Sequence, residues 1–381
     1  MIEVIVMIGA NRLKNGKKTP IYICHKYHEE THFKALWDCA HLYDYEIKAF
    51  IVLSFKKIIE RFKELWHEKK YKEATKSLYM DVRNLFILHT LKNKIVIVGM
   101  TPYHTLMNRY KSIFARNKTI YFTSWQRWDN EHMIPKDCSK ENVKMFKEII
   151  TKHVKGIACV SNLTAEGVAK FNLPIRVVNH AVDIEKYVIK PVFEKKGKCI
   201  YLGKLIQLKN ISAILKYMEH NKEADVKIDF VGDVPMSDPK GERIKKEILR
   251  AAKQDSRINY LGKWCKEQIQ NNLQQYDFLI LPSLEEKFGI VLIEALACGV
   301  PCIVSNAFGP REIIKDGYSG FVFDLKDKDG FAKAMKRASL LSDEAYAKMC
   351  EHALEESKKY SSEHLIKEWV SLIKEVEVNT Y

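Results

Sequence analysis

The segment Asp277-Phe-Leu-Ile-Leu-Pro-Ser-Leu-Glu-Glu-Lys-Phe-Gly-Ile-Val-Leu-Ile-Glu-Ala-Leu-Ala-Cys-Gly-Val-Pro-Cys-Ile-Val-Ser305 holds the densest set of residues able to do chemistry. It reads as a strand ending at Pro282, a loop with Glu285 and Glu286, and a helix opened by Phe288-Gly289 and stopped at Gly299. Pro301 begins the next strand. A helix N-terminus offers free N–H groups and a positive dipole end, so it suits phosphate. Gly289 lets an anion approach the backbone, and the N–H groups of Ile290 and Val291 follow it. Seven residues separate Glu286 from Glu294. Both can border one ligand, with Glu294 accepting from ribose hydroxyls and Glu286 reaching a sugar beyond the phosphates. Taken singly, either glutamate is better explained as a solvated or helix-capping charge. The combination with Phe288-Gly289 and a strand on each side favours the functional reading.

A second stretch, Cys199-Ile-Tyr-Leu-Gly-Lys-Leu-Ile-Gln-Leu-Lys-Asn210, is a buried strand ending at Gly203, with Lys204 and Lys209 flanking the loop into a helix. Two cations at a strand's carboxyl end suit a diphosphate and would neutralise charge developing on a leaving group. Alone, they are ordinary surface lysines. Phe230-Val-Gly-Asp-Val-Pro235 adds a third strand end, turned by Gly232. A different chemistry is spelled by His28-Glu-Glu-Thr-His32, which fits the HExxH pattern of zinc peptidases, with Asp38 as a third ligand. Ala35 stands where the extended pattern wants Gly.

The elements that must position these residues alternate strand, loop and helix. Apolar runs at Ile2–Ile8, Ala49–Leu53, Ile95–Val98, Thr119–Thr123, Gly156–Val160 and Arg176–Val178 read as a first set of strands. Cys199–Leu202, Lys227–Val231, Ile258–Leu261, Phe278–Leu281, Cys302–Ser305 and Gly320–Phe323 form a second set. Continuous apolar strands alternating with helices imply parallel sheets covered on both faces, an α/β class. The basic stretch Val188–Lys198, with Pro191 and Gly197, reads as a linker between two doubly wound halves. In such folds ligands bind outside the carboxyl ends of strands, here in the cleft between the halves. Ser342–Val378 reads as two helices.

The order of motifs resembles a known family. Gly203-Lys204…Lys209 is followed by Val231-Gly232-Asp233, Leu261-Gly262, then Pro282-Ser283…Glu286…Phe288-Gly289…Glu294-Ala295…Gly299…Pro301, and finally Gly309-Pro310-Arg311-Glu312 through Gly320. This is similar to the retaining, nucleotide-sugar-dependent glycosyltransferases of the GT-B fold, the group 1 or family 4-like enzymes. The resemblance covers about Lys198–Phe323 well, and before Gly156 it is mostly topological. It implies two Rossmann-like domains: 1–187 for the acceptor and 188–360 for the donor, with 361–381 a helix packing back on the first. It implies a hexosyltransferase moving a sugar from a nucleoside-diphosphate sugar to a hydroxyl of a glycan or lipid-linked acceptor, with retention. Lys204 and Lys209 would hold the diphosphate, Glu286 would contact the sugar, Glu294 would bind ribose, and Trp264 would border the base. Gly203, Gly232, Phe288, Gly289, Ile290 and Val291 would line the donor site. No metal or other cofactor is implied as required. Lys204 stands where the family usually has Arg, and so lacks the bidentate fork. Gly9–Pro20 is basic where many members are glycine-rich, and Ser124-Trp125-Gln126-Arg127 stands where many have a His. His104 and His180 are the nearest substitutes, each better read as structural.

The chain has 381 residues, 46% hydrophobic and 29% charged, the balance of a globular protein of two or three domains. A net charge of +15 attracts polyanions, whether nucleic acid, anionic membrane or phosphorylated small molecules. The competing classes are therefore a basic nucleic-acid-binding protein and the zinc peptidase. The preferred reading expects no nucleic-acid partner. The nine cysteines form no CxxC pair and read as reduced cytosolic thiols. The N-terminus reads as a strand, not a signal peptide, and no run is long enough to span a bilayer. Phe55–Lys76 reads as a single basic amphipathic helix, with Phe55, Ile58, Ile59, Phe62, Leu65 and Trp66 as its stripe. It packs on the sheet or rests on an anionic bilayer, so the expected location is cytoplasmic, with peripheral contact at the inner membrane face as the variant. Tyr121–Trp128, with Arg127, reads as an aromatic edge of the acceptor cleft.

Overall fold

The computed structural model describes residues 19–25, 30–51, 55–99, 111–124, 139–236 and 238–378. The expected strand Ile2–Ile8, His28 and Glu29 of the HExxH pattern, His104 and Trp125–Trp128 lie outside these residues. The chain forms two compact units, Met1–Ala181 with Leu365–Tyr381, and Val182–His364.

The first unit is built on six parallel strands: β1 (Thr19–His25), β2 (Tyr45–Ile51), β3 (Ile95–Gly99), β4 (Lys118–Thr123), β5 (Val154–Cys159) and β6 (Ile175–Val177). Their order is β2-β1-β3-β4-β5-β6. Strand β1 has no counterpart among the expected strands, because Pro20 argues against a strand inside a sheet. The register shows why it is tolerated. Pro20 pairs with Glu46 of β2, while pairing to β3 starts only at Ile21, so the missing N–H falls where the strand has one neighbour. Strand β3 is buried along its whole length, and Val96, Val98, Tyr121, Ile157 and Phe146 lie in one core.

The expected helix Phe55–Lys76 is two helices, α1 being Glu30–Cys39, α2 Phe55–His67 and α3 Tyr71–Thr90. Lys69 adopts a left-handed conformation at φ 61°. Its N–H donates to the Trp66 carbonyl at 3.1 Å, and the Lys70 N–H donates to that of Leu65 at 2.9 Å. These two bonds form a Schellman stop. Glycine usually marks such a stop, and a lysine in its place hides the break from a reading of the sequence.

The second unit has strands β7 (Lys198–Leu202), β8 (Lys227–Val231), β9 (Ile258–Gly262), β10 (Phe278–Leu281), β11 (Cys302–Ser305) and β12 (Gly320–Phe323), all at the expected positions to within a residue. They are parallel, in the order β12-β11-β10-β7-β8-β9. The next helices are α4 (Lys111–Ala115), α5 (Lys140–His153) and α6 (Asn162–Val168) in the first unit, then α7 (Ile211–His220), α8 (Pro239–Gln254), α9 (Lys266–Asn272) and α10 (Ile290–Ala297) in the second. Helix α10 is apolar nearly all round and buried from Leu292 to Ala297, as a helix in the centre of a unit must be. Helices α11 (Phe308–Ile313), α12 (Gly330–Ser339) and α13 (Asp343–Ser357) complete this unit, and α14 (Ser362–Val378) follows. The last two match the pair expected in Ser342–Val378.

Candidate donor site

The carboxyl ends of β7, β8 and β9 are laced together by backbone. Gly203 N–H donates to the Val231 carbonyl at 3.0 Å, Leu205 N–H to that of Asp233 at 3.0 Å, and Gly232 N–H to that of Gly262 at 2.8 Å. Gly232 sits at φ 150°, and a Cβ there would lie 1.8 Å from the Gly203 carbonyl oxygen. Only glycine allows this crossing. The hydroxyl of Tyr260 donates to the Gly232 carbonyl at 3.0 Å, and that of buried Tyr201 to the Lys204 carbonyl at 2.8 Å. Burial, and then the charge of Glu286, push the Tyr201 phenol up, so it stays a donor.

From this end the chain makes one 3-10 turn at Gln207–Lys209 and enters α7 through Asn210, left-handed at φ 52°. The loop after β10 is tied to that turn, with Leu284 N–H donating to the Leu208 carbonyl at 2.8 Å. The tie brings Lys209 and Glu286 together, 77 residues apart in sequence. Their side chains form an ion pair, and each is about one-sixth exposed. Lys204 lies on the same loop and is exposed.

The start of α10 is shaped by two glycines. Gly289 is its N-cap at φ 96°, with no side chain capping it. A Cβ on Gly289 would touch Cγ of Glu286 at 3.5 Å, so Glu286 stands against the helix start. Gly309, in α11, packs so close that a Cβ would lie 2.6 Å from both N and Cα of Phe288. Its N–H donates to the Glu286 carbonyl at 3.1 Å. Phe288 is buried and meets the Tyr360 ring edge-to-face at 5.9 Å. Glu286, Phe288, Gly289, Ile290 and Val291 therefore share one helix start, with Lys209 facing it.

Glu294 has other partners. It is 5% exposed. Tyr187 donates to its Oε1 at 2.8 Å, and the Lys266 ammonium pairs with the same oxygen. That ammonium also contacts the Tyr187 hydroxyl and stands 5.1 Å from its ring centroid. Burial first, then Glu294, hold the Tyr187 proton firmly on its oxygen. Neither Tyr187 nor Lys266 is among the expected site residues. The signal that points to them is the lone carboxylate in Ile-Val-Leu-Ile-Glu-Ala-Leu-Ala, because a buried charge needs partners. Trp264 is half-buried and packs against Tyr276, ring centroids 6.3 Å apart, while the Tyr276 hydroxyl donates to Asp229 at 2.7 Å. No group of three His, Cys, Asp or Glu able to hold a metal occurs among the described residues.

Two six-stranded parallel sheets flanked by helices are the architecture of the GT-B fold. Residues 183–360 match the family model of glycosyl transferases group 1. Among relatives, the chain is 28% identical over 188 residues to N-acetyl-alpha-D-glucosaminyl L-malate synthase of Bacillus anthracis, covering 49% of this chain and 47% of that protein. It is 30% identical over 184 residues to the UDP-Gal:alpha-D-GlcNAc-diphosphoundecaprenol alpha-1,3-galactosyltransferase of Escherichia coli, covering 44% and 46%. The chain thus spans about half the length of these curated relatives. Its fold matches that of Anabaena HepE in complex with UDP and glucose, with a TM-score of 0.65 at 14% identity, covering 94% of this chain and 99% of that one. A glycosyltransferase from Rickettsia africae matches at TM-score 0.68 and 15% identity, covering 96% and 100%.

Proposed function

We propose that the protein is a retaining glycosyltransferase that moves a hexose-like sugar from a UDP-sugar to a hydroxyl of a glycan or lipid-linked acceptor. The observation that carries this reading is the Lys209–Glu286 pair set against the uncapped start of α10. In the reaction the bond between the anomeric carbon and the distal phosphate oxygen breaks, its electron pair goes to the diphosphate, and the acceptor hydroxyl oxygen bonds to the anomeric carbon while its proton passes to the departing diphosphate oxygen. Lys209, Lys204 and the helix-start N–H groups of Ile290 and Val291 would receive that charge. Preorganised donors aimed at developing charge usually lower a barrier more than any other device an enzyme has. Glu286, released from Lys209 as the diphosphate binds, would accept from sugar hydroxyls. Glu294, held in place by Tyr187 and Lys266, would accept from ribose, and Trp264 would border the base. The choice of uracil rests on the UDP in the HepE complex. A lipid-linked acceptor is favoured by the diphosphoundecaprenol acceptor in the relative's name, and it would place the enzyme at the cytoplasmic membrane face. No helix among the described residues is long and apolar enough to cross a membrane.

The test is thermal stabilisation by UDP-, GDP- and ADP-sugars with EDTA present. A UDP-sugar at about a hundred times its Kd should stabilise the donor unit by about 2.7 kcal/mol. Lys209→Ala should remove most of the shift. A shift with a GDP- or ADP-sugar alone would overturn the choice of base, and no shift with any donor would overturn the donor site.

A further inference from the structure

The partners of Glu294 use only half of its carboxylate. Oε1 accepts both from the Tyr187 hydroxyl, at 2.8 Å, and from the Lys266 ammonium. The other oxygen, Oε2, has no partner among the described residues and is open to solvent. Lys266 is partly unused as well. An ammonium has three N–H groups to donate. One goes to Glu294 Oε1 and one to the Tyr187 oxygen, and the third has no partner among the described residues. The Lys266 side chain is 56% exposed, against 6% for that of Glu294.

The placing of this lysine runs against local preference. Lys266 is the first residue of α9, where a cation meets the positive end of the helix dipole. The position is fixed by a capping box, in which the Cys265 side chain accepts from the Gln268 N–H and the Cys265 N–H donates to Gln268 Oε1 at 2.9 Å. The compensation comes from Glu294 and from the Tyr187 ring, whose centroid lies 5.1 Å from the ammonium. A cation serving only to neutralise Glu294 would do so best on the bare oxygen. Here it doubles up on the oxygen already bonded to Tyr187. One acceptor and one donor are thereby left unused in a single cluster. That pair matches a vicinal diol, with one hydroxyl donating and its neighbour accepting.

We propose that Lys266 is a ribose-binding residue that gives the two ribose hydroxyls of the donor different roles. One hydroxyl donates to Glu294 Oε2, and the other accepts from the third N–H of Lys266. A carboxylate with both oxygens free could take both hydroxyls as donors. Glu294 does not, because Tyr187 and Lys266 fill Oε1. The inference rests on the donor reading above, and every residue in it lies within Val182–His364.

The test is calorimetric titration of the wild-type chain and of Lys266→Met with UDP, its 2′-deoxy and 3′-deoxy analogues, and the two matching fluoro-deoxy analogues. Methionine keeps an apolar stem and a strong helix former at the position. In the wild type, the analogue lacking the hydroxyl on Glu294 should bind about tenfold or more weakly, since that bond is to a charged acceptor. The analogue lacking the hydroxyl on Lys266, which water also reaches, should lose about threefold to tenfold. Fluorine accepts but cannot donate, so it should replace the second hydroxyl better than the first. Lys266→Met should weaken UDP itself about threefold to tenfold, abolish the second loss and keep the first. Disappearance of both losses in the variant would make Lys266 only a support for Glu294. Persistence of both would place it outside the ribose contact. Either result overturns the inference. UDP binding that neither deoxy change weakens would also overturn it, while leaving the donor reading intact. No UDP binding by the wild-type chain would overturn the donor reading and this inference with it.

Discussion

A carboxylate on a helix of Ile, Val, Leu and Ala is expensive unless its charge is met, because burial of an isolated ion costs several kcal/mol. Glu294 meets the requirement with one hydrogen bond from Tyr187 and one ammonium from Lys266. Lys266 is more than half exposed, so water shares its charge and the pair itself contributes little. The buried Tyr187 hydroxyl is the stronger support. Tyr187→Phe should therefore cost about 1.5–3 kcal/mol of stability, the usual range for a hydrogen bond to a charged group. It should also weaken UDP-sugar binding, since the carboxylate would turn from its position. Calorimetry and donor titration on the same variant check both, and a neutral effect on stability would show that water replaces the phenol. The acidic residues are legible in the sequence because their spacing is local to one loop and helix. Their partners are not, because Tyr187 lies 107 residues from Glu294 and Lys209 lies 77 from Glu286. One lysine among many gives no sign of which carboxylate the fold will bring to it.

Elements set how closely these residues approach. Parallel strands are readable as apolar runs wherever a strand is buried on both faces, as β3 and β10 are. Strand β1 is hidden by Pro20 and the α2–α3 break by Lys69, in each case a residue accepted against its preference because the surrounding register or stop motif overrides it. At the site the deciding element is α11. Its Gly309 lies against the backbone of Phe288, and its N–H holds the Glu286 carbonyl. An added Cβ meets N and Cα, not the far end of a flexible side chain, so relief requires the 284–289 loop to move. Gly309→Ala should cost about 1–3 kcal/mol, the range for overpacking a tight core. Displacing the loop should also carry Glu286 away from the start of α10, where it would meet the sugar, so turnover should fall about tenfold or more while the sheet remains intact by far-UV circular dichroism. Wild-type turnover in a destabilised variant would mean that the loop holds its position without α11.

At the scale of the whole chain, the first unit is closed by residues remote in sequence from the rest of it. Helix α14 from Leu365 onward belongs with Met1–Ala181, although the entire second unit intervenes. Its polar ties are long-range: Tyr45 donates to Glu377 at 3.1 Å across 332 positions, Lys118 to the Glu377 carbonyl at 2.6 Å, and Arg176 to Glu375 at 2.8 Å. Its apolar face is tighter still. A Cβ on Gly156 of β5 would lie 2.8 Å from Val376 and 3.0 Å from Leu372. Trp369, 1% exposed, has its ring centroid 5.9 Å from that of Phe33 and 6.0 Å from that of Phe122, joining α1, β4 and α14 in one aromatic cluster. The helical spacing of Leu365, Trp369, Leu372 and Ile373 shows an amphipathic helix, but periodicity cannot say which core a helix serves. Trp369→Ala should cost about 3–5 kcal/mol, because no neighbouring side chain can fill so large a void. The loss belongs to the first unit, so its thermal transition should drop well below that of the second. UDP-sugar should still raise the second unit's transition by its wild-type increment. A melting profile unchanged by the substitution would remove Trp369 from that core. A lost donor effect would instead mean that the second unit cannot assemble its site while the first is unfolded, as long-range closure of this kind permits.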